Sequence, residues 1–443
     1  MTATPTLLVG AARSTILVAV DRLAGYALRA GPCSGVHDPL QARVTLFDDG
    51  RTTIVTVVLD LLYVPQTLAE LIRGTVARGL RTEPENVLVS ATHTHCGPAG
   101  LAVQTADRQT IARAAGQAAG QARASAAPAV LATGIRRVGG ISADRRSAAR
   151  TPDDLARIVV ALTADQRRTV IASIVNFACH ATVLDHTWTT ASADFPGAAC
   201  AQIEAALGGV ATFLQGCAGD VNPVYTEPTW SECERIGGLL SAATTSVALQ
   251  AKGLIAGLRT ISPSLQEEFD ASHLADCQIV ATPHLRSQWS SIIAPPALTL
   301  PLTADIEKER RDLASSLADE TDLVRHRAAR RDAYLWIQEL RSKESNLFGV
   351  FDPGPPARLD LQLLTLGTAL RVLAIPGEPF TATGAAIRSA STGEVLIAGY
   401  AHQSIGYLPP AEAWLDGGYE VGGCLYAETV ESQIRQCAID LLG

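Results

Sequence analysis

The residue types best able to do chemistry gather at the ends of short apolar runs. In Asn86–Pro98, NVLVSATHTHCGP, the run Val87-Leu88-Val89 reads as a buried strand. It leads into Thr92-His93-Thr94-His95 and is stopped by Gly97-Pro98. A strand pleat carried through the motif, with its period of two, sends His93 and His95 to one side. Adjacent imidazoles at a buried strand end suit a metal site or a proton-transfer site; two hydrogen-bonded loop histidines are the plain alternative. The pattern recurs. Val170 to Phe177 ends in Ala178-Cys179-His180, and Ala211 to Leu214 closes on Gly219-Asp220-Val221-Asn222-Pro223. Ile375 runs into Pro376-Gly377-Glu378-Pro379, and Ala398 leads through Gly399-Tyr400-Ala401-His402 to Gly406-Tyr407.

The elements that must position these groups alternate between strand and helix signals. Leu40 to Leu46 and Thr52 to Leu62 flank the turn Asp48-Asp49-Gly50, a hairpin signature. Gln66 to Arg81 places Leu68, Leu71, Ile72 and Val76 on one helical face, and Thr105 to Ala127 reads as an outer helix. Arg136 to Arg150 reads as a connection, Ile158 to Leu162 as a strand, Ala198 to Leu207 and Ser231 to Ala251 as helices. Leu359 to Leu366, Leu370 to Ile375 and Val395 to Ala398 return to strand. The fold class is α/β, a layered α+β organisation with surrounding helices. A single domain over 1–443 is expected, with a helical excursion at about 262–350, where Ala304 to Lys343 carries the charge runs of a solvated helix.

Composition narrows the functional classes. The chain has 443 residues, 47% hydrophobic and 18% charged, with a net charge of -8 and no basic block. That balance argues against nucleic acid, whose phosphates need clustered Lys and Arg. No run approaches the roughly 18 apolar residues of a membrane span, and no secretory h-region forms at the N-terminus, so a cytoplasmic protein without stable membrane association is expected. The nine cysteines include no CxxC pair and are read as packing thiols, Cys96 and Cys179 among them. His273, His284 and His326 have no partner motif and are assigned no chemistry.

The motifs THTHCGP, NFACH, GDVNP, PGEP and GYAHQSIGY, in this order across more than 300 residues, resemble the neutral (non-lysosomal) ceramidase family, specifically its catalytic domain. The likeness runs from GVHDPLQAR (Gly35 to Arg43) to YEVGG at Tyr419. It implies a large mixed-sheet domain and one zinc ion per chain on two histidines, a glutamate and a tyrosine. Carried over motif by motif, these are His93, His180, Glu378 and Tyr407. The resemblance also places His95 beside the metal and Tyr419 in the substrate site, and puts an arginine at Arg145. On that set His95 would shuttle the proton to the leaving nitrogen, while Arg145 and Tyr419 would steady an oxyanion or a substrate carboxylate.

The chain departs from the family at Asn222, where ceramidases carry a serine, and an amide can be neither a nucleophile nor an acid. With Gly443 soon after the tyrosine motif, the family's immunoglobulin-like domain is expected to be missing. The function expected is therefore zinc-dependent hydrolysis of an amide, less readily an ester or lactone, in a small polar molecule other than ceramide. Zinc-dependent acyl transfer, cyclisation or a lyase step is the first alternative; a non-catalytic binding protein is the second. A small-molecule substrate and no nucleic acid are the expected partners, and a homo-oligomer is compatible with the sequence. Asp194 and Asp220 are candidates to orient the histidines, or else turn and cap residues. His37, Asp38 and Asp60 are candidates to approach the pocket, while His186 and His402 are expected at the surface.

Overall fold

The computed structural model describes residues 7–26, 29, 31–99, 105–257, 277–280, 284–295, 308, 311, 357–367, 370–403 and 405–443. Nine strands form the main sheet: β1 (Leu8–Thr15), β2 (Gln41–Asp48), β3 (Thr53–Leu59), β4 (Val87–Ala91), β5 (Ala127–Arg137), β6 (Leu155–Thr163), β7 (Val170–Phe177), β8 (Val210–Gln215) and β9 (Cys277–Ile279). Their order is β8-β7-β6-β5-β1-β2-β3-β4, with β9 paired to β5. The two ends of this path are parallel pairs, β8 with β7 and β3 with β4, and the middle is antiparallel. A second sheet has the order β10 (Leu285–Ala294), β11 (Ala357–Leu366), β12 (Leu370–Ala374) and β13 (Glu394–Ala398), the last pair parallel.

The period of two in these strands decides the layers. On β3, Val55, Val57 and Leu59 face the helices α1 (Gln66–Leu80) and α2 (Thr105–Ala124), whereas Ile54 and Val58 face the second sheet. Helices α3 (Asp194–Leu207) and α4 (Trp230–Gly257) cover the β6–β8 half. On the second sheet, Leu364, Leu366 and Val372 face the main sheet, and Leu361, Leu363 and Leu373 face the C-terminal helix Val430–Leu442. The architecture is thus four layers, helix–sheet–sheet–helix, and each buried Leu, Ile or Val contributes about 1.5–3 kcal/mol. Gly10 on β1 permits the closest helix–sheet approach, since a Cβ there would lie 1.9 Å from the Ala122 carbonyl oxygen of α2.

Two buried amides join the strands that matter for the site. Gln215, ending β8, donates to Thr92 O at 3.2 Å beyond β4 and to Cys179 O at 2.7 Å beyond β7. The sheet therefore curls until its edges meet. Asn176 on β7 donates to Ile397 O at 2.9 Å and accepts from Ile397 N at 3.1 Å, tying β7 to β13. In consequence the carboxyl ends of β4, β7, β8, β12 and β13 open into one place. That is where parallel strand pairs leave a crevice for ligands.

Three expectations are corrected. Residues expected in a helical excursion include β9 and β10, which add to both sheets; the charged span Ala304 to Lys343 falls almost wholly outside the described residues. The Thr105 helix stops at Ala124, and Ala127–Arg137 is the strand β5, whose alanine, glycine and threonine content hid its pairing. The connection at Arg136–Arg150 contains the short strand Ser142–Asp144, paired with Val221–Pro223.

Candidate metal centre

His93 does not continue the pleat. Strand β4 ends at Ala91, and His93 adopts φ 66°, the left-handed region, held by His93 N donating to Leu61 O at 3.0 Å. The turn, rather than strand alternation, brings His95 back beside it, with the two Nε2 atoms 3.4 Å apart. The His93 Nδ1 lies 2.7 Å from the Leu62 carbonyl oxygen. A carbonyl only accepts, so the Nδ1 carries the proton and the Nε2 lone pair points into the cleft. His180, three residues past β7, repeats the device: its Nδ1 sits 2.7 Å from Ala218 O and 3.2 Å from Val221 O. Backbone carbonyls on ring N–H groups are the usual means of fixing a ligating imidazole.

The Glu378 carboxylate reaches both rings, its Oε2 3.6 Å from His93 Nε2 and 3.3 Å from His180 Nε2. That oxygen is buried and accepts no hydrogen bond among the described residues. Glu378 pairs in parallel register with Tyr407, and the Tyr407 phenol bonds to the carboxylate. The Tyr407 ring also stacks on His180 at 6.4 Å and 19°. Burial is the largest influence on His93, pushing it down to about 3 against the pull of Glu378, and burial holds His95 and His180 well below the ordinary imidazole value. These rings are therefore neutral at pH 7, and their contacts to Glu378 are not ion pairs. Burial likewise raises Glu378. The pocket thus holds neutral imidazoles and an unsatisfied carboxylate oxygen, a donor set that fits a divalent cation. Among the described residues, His93, His95 and His180 have ligand atoms all within 4.8 Å of one another.

Arg145 closes one side. Its Nε donates to Glu420 Oε1 at 3.0 Å, Nη2 to Gly219 O at 2.5 Å and Nη1 to Asn222 Oδ1 at 3.1 Å. The same Nη1 is 3.5 Å from His180 Nε2, and the guanidinium lies 5.3 Å over the Tyr407 ring. Asn222 is thus a support of Arg145. Tyr419 begins the short helix Tyr419–Gly422, and its side chain lies outside the described residues. Its neighbour Glu420 accepts from Arg145 and, at 2.6 Å, from Arg146. His95 packs its ring against Tyr26 at 5.0 Å, and its Nδ1 has no hydrogen-bond partner among the described residues. Gly25, at φ 93°, makes room for that ring: a Cβ there would meet Nδ1 at 2.3 Å.

The remaining candidates are placed elsewhere. Asp194 accepts from Leu184 N at 2.9 Å and Phe195 N at 2.6 Å, fixing the start of α3. Asp220 accepts from Thr381 N at 2.8 Å, capping the helix that follows Glu378, while its carbonyl accepts from Arg145 N at 2.9 Å. It orders the loop rather than a ring nitrogen. Asp38 accepts from Ala193 N at 2.9 Å, and exposed His37 packs on Trp230 at 4.4 Å. Asp60, pushed up to about 6 by burial against the pull of Arg43, accepts from Gln41 N at 2.9 Å and supports the hairpin. His186 is half-buried, with its ring 6.3 Å from that of Tyr26. His402 is 1% exposed and lies 4.7 Å from Trp289, because the second sheet covers it. Burial drives the Cys96 thiol up to about 12 and Cys179 well above its ordinary value, in keeping with packing roles.

Two residues of the site escaped sequence reasoning. Tyr400 stands after β13 within GYAH, the same apolar-run-then-polar signal that marked the histidines. Glu420 follows Tyr419 directly, and nothing in its spacing announces two arginine partners.

Comparison with solved structures gives the same fold. The crystal structure of neutral ceramidase from Pseudomonas aeruginosa superposes with a TM-score of 0.72 at 19% identity, covering 99% of this chain and 74% of that one. A ceramidase complexed with C2 gives 0.72 at 18% identity, covering 98% and 75%. No curated protein matches the sequence. Among the described residues, no helix is long and apolar enough to cross a membrane. Residues 7–253, more than half of the chain, match the N-terminal domain of the neutral/alkaline non-lysosomal ceramidases, and the chain belongs to that family of amide-bond hydrolases.

Proposed function

We propose that this protein is a zinc-dependent amidohydrolase that cleaves a small polar amide other than ceramide. The observation that carries the reading is the shared aim of three groups. His93 and His180 each commit Nδ1 to a backbone carbonyl at 2.7 Å, and each presents Nε2 to the unsatisfied Oε2 of Glu378. His93, His180 and Glu378 would hold the ion, with Tyr407 beside Glu378 as the fourth donor. Zinc bound there supplies Lewis-acid polarisation of a carbonyl and brings the pKa of water towards 7.

The chain's own residues would do the rest. His95 starts neutral, with its Nε2 next to the cleft, and can take the proton of an attacking water and return it to the leaving nitrogen. Arg145 is fixed by three acceptors, so its charge is already in place when an oxyanion develops, without reorganisation. Tyr419 would complete the substrate side. Asn222 occupies the position of the family serine and spends its carbonyl on Arg145, which leaves that loop no nucleophile.

The test is elemental analysis of wild-type protein beside His93→Ala, His180→Ala and Glu378→Ala. About one zinc per chain, lost in each variant while circular dichroism is retained, supports the reading. Wild-type protein that takes up no stoichiometric metal after zinc is added back sinks it. Product analysis with an amide library then separates hydrolysis, which releases an amine and a carboxylate, from transfer or cyclisation.

A further inference from the structure

The roles assigned above leave one buried polar group of the centre unused. Tyr400 is 4% exposed and adopts φ 56°, a left-handed conformation that a tyrosine keeps only where its surroundings hold it. Tyr400 N donates to Gly377 O at 2.8 Å, next to Glu378, and Tyr400 O accepts from Ala91 N at 3.3 Å, at the end of the strand that delivers His93. The ring lies over His93, with centroids 4.1 Å apart at 35°, and edge-on to His180 at 6.3 Å. Its hydroxyl is enclosed and has no hydrogen-bond partner among the described residues. The titratable groups around it include Glu378, Tyr407 and Arg145, all of the centre. Tyr407 is different: its phenol is already engaged by Glu378 and Arg145.

A buried hydroxyl without a partner is costly, and native proteins keep one where a water, an ion or a ligand completes it. Strain in the backbone that carries it points the same way. We propose that Tyr400 is a further catalytic residue, its phenol O–H donating to the carbonyl oxygen of a substrate seated against His93, His180 and Glu378. A donor fixed in place before the reaction stabilises charge developing on that oxygen without reorganisation. The inference rests on the amidohydrolase reading.

The experiment uses zinc-loaded wild type and Tyr400→Phe, which keeps the ring on His93 and removes only the hydroxyl. Acetohydroxamic acid, titrated calorimetrically, serves as the probe of the oxygen position. Binding in the variant is expected to weaken about tenfold, the loss of one hydrogen bond to a charged oxygen. Zinc stoichiometry stays at the wild-type value, and the Tm of the metal-free variant is unchanged or raised, because the lost hydroxyl had nothing to bond there. Equal acetohydroxamate affinity in both proteins overturns the inference and leaves the amidohydrolase reading standing. A metal-free Tm that falls together with binding also overturns it, by making Tyr400 a packing residue. Wild-type protein that takes up no zinc overturns both.

Discussion

Two clusters of buried charge meet at Arg145 and are finished in different ways. On one side, the Glu420 carboxylate has both oxygens occupied, by Arg145 at 3.0 Å and Arg146 at 2.6 Å, and Arg146 also donates to Gly417 O at 2.7 Å. On the other, Glu378 leaves Oε2 without a hydrogen bond between two neutral imidazoles. Both carboxylates are largely removed from water, Glu420 more completely than Glu378, and only Glu420 has both oxygens paired. A closed ion cluster holds the Tyr419–Gly422 helix against the body of the domain, whereas an unsatisfied carboxylate beside neutral imidazoles is a donor set that could hold a cation.

The comparison breaks most visibly at Glu420. Glu420→Ala leaves two guanidinium groups uncompensated in a buried place and is expected to cost about 3–5 kcal/mol, read as a lower urea midpoint. A loss near zero would mean the clamp is not closed. Glu378→Gln should behave oppositely: zinc affinity falls by about 100-fold or more, while the metal-free protein is as stable as wild type or more so. Its pH dependence carries a definite sign. Burial raises the folded pKa of Glu378 above 4.5, so its contribution to metal-free stability is present below that value and is lost as pH rises through the folded pKa. Metal-free wild type should therefore lose stability relative to the glutamine variant as pH rises, a difference visible in Tm against pH. The smallest effect belongs to the support between the clusters. Asn222→Ala removes one acceptor from Arg145 and should cost about 1 kcal/mol with zinc uptake intact. Zinc loss in that variant would merge the two clusters into one unit.

Much of this was legible in the chain. The buried strands stand out as apolar runs, and the polar residues that follow them could be read off as strand-end groups. His93, His180, Glu378 and Tyr407 do meet in space. What could not be read was the reason His93 and His95 adjoin. Period two predicts it for a strand, yet β4 ends at Ala91 and a left-handed turn at His93 does the work. His402 illustrates the converse, since a polar residue near a motif gives no sign that a second sheet will bury it. Glu420 and Tyr400 were missed because their partners lie some 275 and 307 positions away along the chain, at Arg145 and His93.

The sequence by itself determined the chemistry on offer: which side chains end the buried strands, the absence of a serine at Asn222, and the family they resemble. Local residue types and their spacing suffice for that, because a strand end is a local event. Only the tertiary structure decided which nitrogen of each histidine faces the cleft, which carboxylate is satisfied and which is not, and where Tyr400 points. Those depend on carbonyls at Leu62 and Ala218 and on the curl that brings β8 to β4 through Gln215. Hydrogen-bond completion is a property of groups in space, and sequence separation carries almost no information about it.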